Sequence, residues 1–372
     1  MRYRALGFLL AVSPAIADAQ RAGTLIAATP VVQTPAGSQA WRVRYWTTDD
    51  HSKPAAVTGM VVAPREALPP RPRKVLAWAH GTWGVTSRCA ASNDEFFAST
   101  PGLSDAIRRG YVVVAPDYPG LGSAGSHGYL AGMSTGRSVL DAVRAARSIP
   151  GAGAGQAFAV WGESQGGHAA LWTGQLARRY APELRLVGVA AAAPPTDLAI
   201  NLSAGSDPSV RAFLTAFTAY SWSKHFGAPL ATLGKASTQG VITRLAHNNC
   251  VKLGAKPKLG TVLGVLVLRR DLRNVDLGKI QPWAGIARAN SPAAVPYGVP
   301  FLIAQNPGDV IVGPDVTRGF ARQLCRAGGK VRYVDIRGKG HETSAADSKD
   351  VTLDWIDARF AGAAAPSNCG QI

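Results

Sequence analysis

Apolar and polar side chains change their rhythm several times along this chain, and the changes mark out its elements. Residues 20–40 are polar and irregular and predict a lead-in arm. Residues 41–46 alternate strictly (Trp41, Val43 and Tyr45 against Arg42, Arg44 and Trp46), the period-two pattern of a half-buried strand, and residues 56–62 predict a second. Beyond a Pro-rich stretch at 67–72 come apolar runs at 74–79, 111–116, 157–161, 184–193 and 299–304, and a further strand at 331–336. Continuous apolar runs are what strands buried on both faces require. Between them lie helical patterns at 101–109, where Gly110 provides the stop, at 134–149, with Val139, Leu140 and Val143 inward, and at 169–177 and 314–327. A last helix is predicted at 344–360, with Val351, Trp355, Ile356 and Phe360 on one side.

Strands alternating with helices specify a mostly parallel sheet flanked by helices, an α/β fold. The alternation lapses at 201–295, where helical apolar patches (Phe213, Phe217, Tyr220) precede an apolar run at 262–268. That stretch predicts an inserted helical cap over the strand ends; the competing reading is a loosely attached second domain. The expected organisation is a core at 20–198, a cap at 199–295 and the rest of the core at 296–372. No internal repeat is visible.

The stretch that organises the chain is Gly162-Glu163-Ser164-Gln165-Gly166-Gly167-His168. An apolar strand runs in and a helix runs out, so G-x-S-x-G sits on the strand-to-helix turn that a nucleophile elbow needs. Such a turn strains the serine backbone, holds its hydroxyl above the sheet, and aims helix N-terminal amides at the same spot. The bland alternative is a Gly-rich turn carrying a surface serine.

A serine hydroxyl needs a base to take its proton and an acid to orient that base. In the α/β-hydrolase fold the order is Ser, then Asp or Glu, then His. Of the histidines well beyond Ser164, His225 and His247 lie in the cap, whereas His341 falls between the last strand and the last helix, where a base reaches back over the sheet. Asp309 follows the preceding strand in a Pro-Gly-Asp turn and is the expected acid; Asp315 and Asp335 are its rivals. The expected oxyanion donors are the amides of Gln165, next to the nucleophile, and of Thr82 in the His80-Gly81-Thr82 loop, with Trp83 the near alternative. His80 is expected to brace that loop and Asp117 to hold a structural turn. Phe213, Leu214, Phe217 and the 262–268 run are candidates to shelter an acyl chain, against the plainer role of cap core.

Charge and cysteines narrow the setting. Forty Lys and Arg against 23 Asp and Glu give a formal net charge of +17, scattered rather than blocked, and no nucleic-acid module is visible. That surface suits solubility and transient contact with an anionic membrane or lipid interface. Arg2 and Arg4, the apolar residues 6–17 and the Ala17-Asp18-Ala19 site read as an export signal over 1–19, so a secreted or periplasmic protein is expected. No later run reaches the roughly 18 apolar residues that span a bilayer. Cys89, Cys250, Cys325 and Cys369 fit an oxidising compartment; they lack metal-site spacing, and the residues alone leave all three pairings open.

With His80-Gly81-Thr82, Cys89-Ala90-Ala91-Ser92, the 114–122 stretch VAPDYPGLG and the elbow taken together, the chain resembles the secretory lipases, lipase-A-like α/β-hydrolases with a helical cap inserted before the acid. The resemblance runs from about Trp41 to Phe360. It implies carboxylic-ester hydrolysis of a small-molecule or lipid ester through Ser164, Asp309 and His341, without a cofactor or metal. It also implies a Cys89–Cys250 bridge from the oxyanion loop to the cap, and hence Cys325–Cys369. The cap is shorter than about a hundred residues, a departure that bears on long-chain substrates. Two other readings are a serine exopeptidase of the same fold, disfavoured because Asp207, Asp271 and Asp276 are the only acids at 201–295, and a non-catalytic basic surface-binding protein.

Overall fold

The computed structural model describes residues 20–93, 95–204, 207–252 and 254–372; the expected export signal lies outside them. Among the described residues, nine strands form one sheet: β1 (Leu25–Val31), β2 (Ser38–Thr48), β3 (Pro54–Pro64), β4 (Arg73–Ala79), β5 (Val112–Pro116), β6 (Ala154–Glu163), β7 (Arg185–Ala192), β8 (Phe301–Gln305) and β9 (Val331–Asp335). Their order is β1-β2-β3-β5-β4-β6-β7-β8-β9. The pairs among β1, β2, β3 and β5 are antiparallel; those from β5 through β4 to β9 are parallel. The division follows the sequence rhythm, since β2 alternates between buried and open positions while β5 and β8 are buried throughout.

One strand departs from expectation. The predicted arm contains β1, which pairs antiparallel with β2, with Ala28 opposite Val43 and Pro30 opposite Trp41. Pro30 has no N–H to donate, and an edge strand tolerates that.

Helices cover both faces. Against one pack α2 (Gly132–Ala146), α3 (Gln165–Tyr180) and α9 (Pro314–Arg326), through Val139, Leu140, Val143, Leu171, Phe320 and Leu324. Against the other pack α1 (Leu103–Arg108) and α10 (Lys349–Phe360), through Ile107, Leu353, Trp355 and Ile356. The C-terminal helix is broken, contrary to expectation: Ser348 leaves helical geometry (φ −104°, ψ 6°) between Ser344–Asp347 and α10. Within α10 the buried side chains include Thr352, Leu353, Trp355 and Ile356, whereas Val351 faces outward, 37% exposed.

Between β7 and β8 lies a helical insertion: α4 (Leu198–Ala204), α5 (Pro208–Phe226), α6 (Ala236–Asn248), α7 (Leu259–Asp271) and α8 (Trp283–Asn290). Helix α5 starts where Asp207 accepts from the amides of Ser209 and Val210 with Pro208 behind it, and stops at Gly227, which takes the left-handed φ of 72°. Phe217, Trp222, Ile242, Leu245, Leu268 and Trp283 give the insertion its own core, which takes in Val85, Tyr129 and Leu130 from loops of the sheet domain. Disulfides join Cys89 to Cys250 and Cys325 to Cys369, the pairings the resemblance implies. Among the described residues no helix is long and apolar enough to cross a membrane.

Candidate active site

Strand β6 ends at Glu163 and α3 begins at Gln165, which leaves Ser164 alone at the turn with φ 53° and ψ −121°. A non-glycine residue with positive φ pays strain, tolerated only where the surroundings enforce it. Enforcement is visible on both sides. A Cβ at Gly162 would lie 2.1 Å from the Gly166 carbonyl oxygen, and one at Gly166 would lie 1.8 Å from that of Ala79. Only glycines let β4, the turn and α3 approach so closely. The Ser164 amide donates to the Ala192 carbonyl (2.9 Å), tying the turn to the end of β7.

His341 follows β9, behind Gly340 with its φ of 115°. Its Nε2 lies 2.8 Å from Ser164 Oγ and its Nδ1 2.8 Å from Asp309 Oδ2. Asp309 is buried, yet its Oδ1 accepts from the amides of Ile311 (2.8 Å) and Val312 (3.0 Å) and its Oδ2 from Gln305 Nε2 (2.9 Å). Burial opposes ionisation of this carboxyl, but the His341 ring and the two amides outweigh it and hold the group below the usual carboxylate range. An ionised carboxylate only accepts, so Nδ1 of His341 carries the proton and Nε2 presents its lone pair to the serine hydroxyl.

The rival residues are engaged elsewhere. Asp335 pairs with Arg318 (2.6 Å), and Asp315 lies in the first turn of α9. His225 pairs with Asp50 (2.6 Å). His168 is fully buried, donates from Nε2 to the Asn290 carbonyl (2.7 Å), and is pushed down to about 4 by burial.

The 80–82 loop passes beside the turn, where a Cβ on Gly81 would lie 3.9 Å from Ser164 Cβ. His80 braces the loop: its Nδ1 is 2.7 Å from the Gly81 carbonyl and its carbonyl accepts from Tyr118 (3.0 Å). Burial lowers its affinity for a proton. Asp117 holds its turn by accepting from Ser92 N (2.8 Å), Ser92 Oγ (2.6 Å) and Thr58 Oγ1 (2.7 Å). Gln165, at the first position of α3, has one of the amides a helix leaves without an internal acceptor.

Several residues at the site had no signal in the sequence. His127 is buried; its Nδ1 donates to the Pro119 carbonyl (3.0 Å), so its Nε2 accepts from Gln165 Nε2 (2.7 Å). Burial pushes the ring down to about 3, so it stays neutral. Ser221 on α5 donates to the His127 carbonyl (2.5 Å) and accepts from the Tyr129 amide (2.7 Å). Tyr129 in turn sets its hydroxyl 3.1 Å from Thr82 Oγ1. The insertion thus grips the loop that grips Gln165 and Thr82. Beside Ser164, burial raises the Glu163 carboxyl to about 7, against the Ala345 amide that donates to it (2.7 Å).

Ser164 and His341 open on a cleft of about 810 Å³, with Thr82, Tyr129, Phe213 and Leu214 among its walls. A narrower crevice leads from Ser164 past Leu198, Leu214 and Val312. Phe213 and Leu214 therefore border the cleft, but Phe217 does not. It is fully buried in the insertion core, 4.5 Å centroid to centroid from Phe213, and lines neither space. It follows Phe213 by one helical turn, on the side that faces its own domain. Of the 262–268 run, Val262, Val265 and Leu266 line the cleft, whereas Leu268 is buried in the insertion core.

The sheet, the serine turn and the flanking helices define an α/β-hydrolase. The secretory lipase family model matches residues 97–216. Lipase 5 of Candida albicans is 25% identical over 355 residues, covering 90% of this chain and 74% of that protein. Lipase A of Moesziomyces aphidis is 27% identical over 172 residues, but these are 42% of this chain and 35% of that protein. In structure the chain is similar to Candida antarctica lipase A in its closed state, with a TM-score of 0.75 at 20% identity over 94% of this chain and 85% of that one. These matches bear out the resemblance to the secretory lipases.

Proposed function

We propose that this is a secreted hydrolase of carboxylic esters that works through an acyl-enzyme. The observation that carries the reading is the unbroken hydrogen-bonded line from Asp309 through His341 to Ser164, both links 2.8 Å. Ser164 Oγ attacks the ester carbonyl while His341 Nε2 takes its proton, and Asp309 stabilises the imidazolium that forms. The amides of Gln165 and Thr82 receive the negative charge on the carbonyl oxygen. His341 passes its proton to the departing alcohol, water repeats the attack, and the carboxylic acid leaves. Helices α4 to α8 act as a cap, with Phe213 and Leu214 sheltering the acyl chain. The acids of the insertion are already committed: Asp207 caps α5, Asp271 accepts from Thr238 and Arg270, and Asp276 accepts from Gly278 and pairs with Lys279. No carboxylate pair of the insertion is therefore left for a peptide amine, which favours esters over the exopeptidase reading.

The test is a fluorophosphonate probe with a series of dissolved p-nitrophenyl esters and aminoacyl amides. The wild type should be labelled at Ser164 and cleave the esters, and Ser164→Ala should do neither. Folded wild type that resists the probe would overturn the reading; faster cleavage of aminoacyl amides would transfer it to the peptidases.

A further inference from the structure

Helix α7 is unusual in what it shows to solvent. Leu259 (74% exposed), Val262 (40%), Leu263 (55%) and Leu266 (51%) recur at helical spacing on one side, and they are four of the eleven large hydrophobics exposed among the described residues. The other side is anchored: Leu268 is fully buried, and a Cβ on Gly264 would lie 2.9 Å from Leu245 of α6. The outer stripe is thus a deliberate face of a docked helix. Cations flank it. Lys252, Lys256 and Lys258 precede it and Arg269 and Arg270 follow it, all exposed, with no acidic residue between Cys250 and Arg270. Arg270 pairs with the adjacent Asp271 (2.9 Å). Lys252, Lys256, Lys258, Val262 and Leu266 also border the cleft that holds Ser164 and His341.

From this juxtaposition we infer that α7 and its preceding lysine segment form a docking face for an anionic lipid surface. Leucines at an interface remove apolar area from water, and lysines beside them gain from the negative surface potential. A second copy of the chain is a poorer occupant, because two such basic faces would repel, on a protein of formal net charge +17. The inference rests on the hydrolase reading above, since docking here sets the Ser164 cleft against the lipid. It adds to that reading the charge of the surface and the residues that meet it.

The experiment uses the purified protein carrying Ser164→Ala, so that no lipid is consumed, and co-sedimentation with vesicles. Vesicles of phosphatidylglycerol in phosphatidylcholine should capture the protein, those of phosphatidylcholine alone should capture it at least tenfold less, and high salt should release it. Each lysine contributes about a fivefold change near such a surface, so Lys256→Gln with Lys258→Gln should weaken capture by about 25-fold. Leu259→Ser with Leu263→Ser, two residues outside the cleft, should weaken it by tenfold or more while an otherwise wild-type chain keeps its rate on a dissolved short ester. Equal capture by neutral and anionic vesicles overturns the inference. So does undiminished capture of the double leucine variant, which would mean adsorption through net charge alone, or a dimer in sedimentation equilibrium that the same variant abolishes. If vesicle capture fails while the probe still labels the wild-type protein at Ser164, docking falls alone; if labelling of the wild type fails while capture persists, the hydrolase reading falls.

Discussion

Glu163 offers a test that depends on both fold and site. Its carboxyl, wedged between strand end and nucleophile, is raised by burial to about 7 from an ordinary 4.5, with the Ala345 amide only partly opposing the shift. The sign follows from where each state gives up its proton. The unfolded chain releases it near 4.5 and the folded chain near 7, so the folded state binds more protons in between and stability falls as pH rises through that window. At about 1.4 kcal/mol per pH unit the full gap amounts to about 3 kcal/mol, and because one edge of the group faces the wet cleft a working figure is about 1–2 kcal/mol. Glu163→Gln keeps the volume and an acceptor for the Ala345 amide but cannot ionise. Urea unfolding across a pH series should show the variant more stable than wild type above pH 7 by about that amount, the difference closing below about pH 4.5. A difference that stays constant with pH, or widens toward acid, would refute the assignment of a buried, reluctantly ionised carboxyl.

Other perturbations address the site and its supports. Asp309→Asn should lower kcat/KM on a short soluble ester by about 10⁴-fold through the wrong imidazole tautomer, and a loss under tenfold would remove Asp309 from the relay. Gly166→Ala should give no active folded protein, because the new methyl would lie 1.8 Å from the Ala79 carbonyl oxygen; near-normal ester turnover would contradict the turn geometry. Phe217→Ala should reduce stability by about 3–5 kcal/mol in chemical denaturation, as expected of a core residue; altered acyl preference at unchanged stability would make it a substrate wall instead. Cys89→Ser with Cys250→Ser opens a closure spanning 161 residues and should lower stability by about 2–5 kcal/mol, measured against the intact protein without reductant.

The parallel half of the sheet was readable because strands such as β5 and β8, buried on both faces, have no polar positions to confuse the pattern. Strand β1 was not, because its LIAATPV run neither alternates nor stays unbroken: Thr29-Pro30 interrupts it, and at the sheet edge none of its residues is fully buried. Ser164, Asp309 and His341, the last within hydrogen-bond reach of the other two, could be picked out because each follows a strand and chain order limits the candidates. His127 and Ser221 were invisible for the opposite reason. Their importance comes from contacts with residues 38 and 94 positions away, and neither carries a local motif. Phe213 and Phe217 show the limit of periodicity, which marks an apolar stripe on α5 without saying which part of it meets substrate and which meets Trp222 and its neighbours.

The grip of Ser221 on the backbone at residues 127–129 has a mechanical corollary. Helix α5 cannot swing away from the sheet without breaking the Ser221 bonds to the His127 carbonyl and the Tyr129 amide, in the backbone that carries the two side chains beside Gln165 and Thr82. The inner helix is therefore a fixed wall of the cleft, and the insertion is clasped to the sheet domain a second time by the Cys89–Cys250 bridge.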